Sequence, residues 1–138
     1  QDIPEVTSPN GEVWAKVIAG KALGVEAVID TVIPITFIHL KLKPGATFVH
    51  AAQTQHNLMV YAFGGAFEIG ERTLEDGGLG ILSQGDVLTL VAGPEGGECL
   101  LLGGPEIDEP IARYGPFVMN TREEIHQAMV DFQNGTLA

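Results

Sequence analysis

Between residues 12 and 102 the chain alternates apolar and polar positions in short runs, each broken by a turn-forming cluster. In Ile35–Leu42 the set Ile38, Leu40 and Leu42 is wholly apolar, while the opposite set Ile35, Phe37, His39 and Lys41 turns polar toward its end. That period of two predicts a strand with one buried face, from which His39 leans outward. Comparable runs at Glu12–Ala19, Thr47–Ala51, Asn57–Phe63, Ala66–Ile69, Gly80–Leu82, Asp86–Val91 and Glu98–Leu102 raise the expected strands to eight. Turn chemistry separates them at Lys43-Pro44-Gly45, Gly64-Gly65, Asp76-Gly77-Gly78, Gln84-Gly85-Asp86 and Pro94-Glu95-Gly96-Gly97. The spacing leaves no room for helical crossovers, so antiparallel pairing is expected.

The period changes once. Thr121-Arg122-Glu123-Glu124 has the form of a capping box, with the Thr121 hydroxyl accepting from the Glu124 amide and Glu124 reaching back to the Thr121 amide. Ile125, Ala128, Met129 and Phe132 follow at helical spacing, and Asn134-Gly135 supplies a stop. Residues 121–133 are therefore expected to form an amphipathic helix packing one face on the strands or on a partner. Residues 1–10, with Pro4 and Pro9, read as an extended arm or linker leading into a domain over 11–120, with 121–138 as the helix and tail of that domain.

Composition narrows the function classes. At 138 residues, 45% hydrophobic and 18% charged, the chain suits one folded domain, and its 18 glycines and 8 prolines suit many short strands. A formal net charge of −11 with only seven basic residues offers no footprint for a phosphate backbone, so direct nucleic-acid binding is not expected. The longest stretch without a charge, Pro44 to Phe67, contains Gln53, Gln55, His56 and Asn57, which argues against a membrane span. One cysteine, Cys99, and no basic apolar leader point to a reducing cytoplasm. A chain opening at Gln1 rather than methionine raises the expectation that it was processed or cut from something longer.

Three segments carry a family resemblance. Lys43 through His50, His56 through Gly65, and Gly85-Asp86 resemble the two conserved stretches that frame a cupin barrel. Leu102 through Ile125, including Glu109-Pro110, Arg113 and Gly115-Pro116-Phe117-Val118-Met119-Asn120-Thr121, resembles the C-terminal signature of pirins. The likeness extends over about residues 3–135 and corresponds to the second of the two cupin domains of a typical pirin. It implies an all-β, cupin-type antiparallel β-barrel, jelly-roll-like, with a C-terminal amphipathic α-helix.

Metal-binding cupins converge about three imidazoles and a carboxylate on one ion. Here Ala52 stands two positions after His50 where a second histidine is needed, no glutamate follows until Glu68, and Gly85–Gly93 holds no histidine. His50 and His56 are thus weak metal candidates, and no catalytic or cofactor-binding residue is assigned. The resemblance implies that iron or another divalent metal belongs to the first domain of a parent pirin. Other chemistry has bland readings: His56-Asn57 as polar residues fixing a strand start, His126 as solvated, Glu106, Asp108 and Glu109 as a solvated acidic loop, and Tyr61, Phe63 and Phe67 as core. Ser83 has no neighbouring base in sequence to activate it.

Three functions compete. The preferred one is a non-catalytic cupin domain, a structural and protein-contact partner of an N-terminal pirin cupin domain or of a second copy in a homodimer, with other proteins as further partners. The alternatives are a quercetin 2,3-dioxygenase-like enzyme, as the resemblance implies for a complete pirin, using His50 and His56 in this chain, and a small-molecule-binding cupin with no chemistry.

Overall fold

The computed structural model describes residues 2–53, 55–82, 85 and 87–137, so Ser83 and the expected turn residues Gln84 and Asp86 lie outside the described residues. Strands run in the order β1 (Glu5–Thr7), β2 (Val13–Ala19), β3 (Lys21–Ala22), β4 (Val25–Glu26), β5 (Thr36–Leu42), β6 (Thr47–Ala51) and β7 (His56–Gly64). They continue through β8 (Phe67–Ile69), β9 (Arg72–Leu74), β10 (Leu79–Leu82), β11 (Val87–Ala92), β12 (Gly97–Pro105), β13 (Ala112–Tyr114) and β14 (Phe117–Met119) to helix α1 (Arg122–Asn134). All eight expected strands are present. Five short ones and β1 were not expected; β1 lies inside the supposed arm and pairs with β2.

The chain divides into two units, one through Glu106 and one from Ile107 onward. In the first, a six-stranded sheet of order β1-β2-β5-β12-β7-β10 and a four-stranded sheet of order β6-β11-β8-β9 are both antiparallel. The result is a jelly-roll-like pair of sheets rather than one continuously bonded closed barrel. Their inward residues form one cluster: Val17, Ile38, Val60 and Leu101 from the larger sheet with Phe48, Phe67, Leu88 and Leu90 from the smaller. Each such side chain contributes about 1.5–3 kcal/mol relative to exposure. The strands alternate buried and accessible residues, as in β2 and β7, so one face of each sheet is fixed inward.

One end of this unit is drawn tight by glycine. Gly65 (φ +77°) and Gly96 (φ +77°) occupy left-handed turns, and a Cβ on Gly65 would collide with the Gly96 carbonyl oxygen. A Cβ on Gly96 would stand 2.8 Å from the Leu42 carbonyl oxygen. The opposite end, where β5 and β7 begin, is open.

In the second unit, β13 and β14 form a hairpin beside α1. Thr121 caps the helix as expected, accepting from the Glu124 amide at 3.2 Å. The Glu124 carboxylate, however, accepts from the Thr121 hydroxyl at 2.9 Å rather than from its amide. Gly135 (φ +70°) ends the helix, and the Thr136 amide bonds back to the Asp131 carbonyl at 2.8 Å. Ile125 and Ala128 are buried, but Phe132 is 66% exposed, its ring edge-on to that of Phe117 at 6.2 Å.

Candidate functional site

The open end places both candidate histidines on inward-facing positions. On β6 the inward set is Phe48 and His50; on β7 it is His56, Leu58, Val60 and Ala62. His50 and His56 consequently line one cavity of about 270 Å³, walled by Pro34, Ile35 and Leu58 and rimmed by Glu26 and Asp30. His50 stacks near Phe48, with ring centroids 6.3 Å apart. Burial removes solvent from its imidazole and lowers its pKa below the ordinary histidine value. His56 is 9% exposed, and Asn57 is exposed. The side-chain hydrogen bonds expected of these two are not found among the described residues; the Asn57 side chain faces outward and the His56 ring faces the cavity.

His50 and His56 line the same cavity, and among the described residues no group of three histidine, cysteine, aspartate or glutamate side chains could hold a metal ion together.

A second polar constellation lies on the outer face of the six-stranded sheet. The Nε2–H of His39 donates to Glu98 Oε1 at 2.6 Å, across a diagonal of the β5–β12 register. Lys41 Nζ stands 3.8 Å from the same oxygen and 4.9 Å from the centre of the Trp14 ring. Trp14 meets the His39 ring edge-on at 5.2 Å and Phe63 approaches it at 5.4 Å. Beyond this group, cross-strand rows continue through Leu100, Tyr61 and Leu79, and through Phe37, Leu102, Met59 and Ile81. Tyr61 (40%) and Phe63 (39%) are exposed, which corrects the expectation that they are core; only Phe67 is fully buried. The inward places on β7 belong to Leu58, Val60 and Ala62, so the aromatic residues between them must face out.

Comparison with known proteins decides the family. The family model described as the pirin C-terminal cupin domain matches residues 37–138. The chain belongs to the pirin family. It is 32% identical to pirin of Homo sapiens over 136 residues, covering 94% of this chain and 47% of that protein. It is 34% identical to a pirin-like protein of Arabidopsis thaliana over 147 residues, covering 97% of this chain and 46% of that one. A solved structure of quercetin 2,3-dioxygenase from Acinetobacter baumannii superimposes with a TM-score of 0.87 at 32% identity, covering 99% of this chain and 48% of that chain. This pirin-family chain thus spans about half the length of the relatives it matches.

His126 is exposed on α1, as expected. Asp108 and Glu109 are exposed, and Glu109 accepts from the Asn120 amide at 3.0 Å. Cys99 is fully buried, and burial followed by the charge of Glu98 pushes its thiol up to about 12. The His39–Glu98 contact was missed because its partners lie 59 positions apart and their register is not written in either strand.

Proposed function

We propose that this chain is a non-catalytic cupin half, a structural and protein-contact partner of a metal-bearing cupin barrel, which pairs with a second copy when that partner is absent. The observation that carries the reading is the outer face of the six-stranded sheet, where apolar and aromatic rows pass through Tyr61 and end in Leu79 (55% exposed) and Ile81 (76% exposed). Apolar surface of that kind marks contact sites on otherwise soluble domains. The partial donor set at the open end and the half-length match to pirins support the same reading. A cytoplasmic setting, with Cys99 as a buried reduced thiol, belongs to the proposal. No helix among the described residues is long and apolar enough to cross a membrane. Sedimentation of the purified chain should show a dimer, and Tyr61→Asp or Ile81→Asp should return it to monomer. A wild-type monomer up to high micromolar concentration rejects the self-pairing.

One observation favours a second reading, an enzyme of the quercetin 2,3-dioxygenase kind: His50 and His56 open into one cavity in a fold close to that of the Acinetobacter baumannii enzyme. Elemental analysis decides between the two. The contact reading expects no stoichiometric transition metal and no oxygen uptake with quercetin. Near one metal per chain, lost in His50→Ala, would establish the enzyme instead.

A further inference from the structure

His56 is the one buried polar or charged residue among the described residues. It lines the cavity at the open end, and no side-chain hydrogen bond joins its imidazole to another described residue. Among those residues every fully occluded side-chain nitrogen or oxygen has a partner. His56 thus presents its side chain to the cavity. A polar side chain held nine-tenths away from bulk water is costly unless a partner completes its hydrogen bonds.

The surroundings specify what that something is. His50 presents a second imidazole to the same space, and a neutral imidazole offers one donor and one acceptor, the pairing a hydroxyl group satisfies. Pro34, Ile35 and Leu58 supply an apolar wall suited to the flat face of a ring. Lys21 also lines the cavity but is paired with Glu26 at 3.0 Å, which among the described residues leaves the Asp30 carboxylate as the unpaired charge there and disfavours an anion. A volume of about 270 Å³ lies at the small end of ligand pockets and suits one ring rather than a fused system. We propose that this cavity binds a small uncharged phenol, its hydroxyl groups held by His56 and His50 and its ring against Pro34, Ile35 and Leu58. The inference does not depend on the contact reading, because the mouth and the outer sheet face are different surfaces.

The test is a titration of the full chain with resorcinol, followed by carbon-13 NMR of the histidine rings. Saturable shifts are expected at His50 and His56, with His39 and His126 unmoved. His56→Ala and His50→Gln should each weaken binding at least about tenfold, the loss of one hydrogen bond. If His56→Ala fails to fold, His50→Gln carries the comparison. Glucose and benzoate are run as a polyol and an anion, and the resorcinol titration is repeated with a chelator. Absence of saturable shifts up to about 10 mM resorcinol overturns the proposal. So does tighter binding of glucose or benzoate, or binding that disappears with the chelator, or affinity unchanged in His50→Gln.

Discussion

His50 sits half-buried beside Phe48, and loss of solvent depresses its pKa in the folded state. The unfolded chain, with an ordinary histidine, then binds more protons than the folded one below about pH 6.5. Stability contributed by neutral His50 is complete above that pH and is lost as pH falls through the ordinary value toward the lowered one. His50→Gln, which does not titrate, should narrow the gap between urea midpoints measured at pH 7.5 and pH 5.5. An unchanged gap would mean that His50 keeps its ordinary affinity for protons. At this scale the sequence is a partial guide. That His50 and His56 can approach each other follows from their places at neighbouring strand ends, whereas the Glu98 carboxylate beside His39 depends on a register that no local pattern encodes. Tyr61 and Phe63 were misplaced for a related reason: size and apolarity suggest a core, but the alternation that puts Val60 and Ala62 inside leaves them out.

Strands and helix were more legible than residues. Eight runs with a period of two became strands because alternation is imposed by one buried sheet face, and the capped stripe over 121–133 became α1 over Arg122–Asn134. The strands that escaped notice, β1, β3, β4, β9, β13 and β14, are two or three residues long, too short to establish a period. Along α1 burial is uneven, and stability should follow it. Ile125→Asp places a charge where a buried side chain stood and should cost about 2–4 kcal/mol or more, while Phe132→Asp and His126→Ala should each stay within about 1 kcal/mol. Urea unfolding of the three variants checks the order; equal losses for Ile125→Asp and His126→Ala would show that the buried face contributes nothing.

At the scale of the whole molecule, charge opposes association. With −11 per chain, two copies repel at long range, so the dimer should tighten as salt rises and screens that repulsion. A dimer that weakens with salt would instead place ion pairs such as Lys41–Glu98 at its centre. Sheet order was the part of the fold least visible in the sequence, since β5, β12 and β7 become neighbours only through long connections. The two ends of the first unit also differ in their freedom to vary. At the glycine end, Gly65 and Gly96 leave no space for a side chain, and any substitution must move backbone. At the mouth Gly20 (φ +86°) is held in the same way, its Cβ position 3.1 Å from the Ile35 carbonyl oxygen, whereas His50, Thr36, Gln53 and the residues of 27–35 lie outside the cluster of buried side chains, apart from the partly buried Ala27 at its margin. The fold therefore works as a fixed frame with an interchangeable rim, and a library randomised at Thr36, His50 and Gln53 should yield mostly folded proteins from which new specificities can be selected.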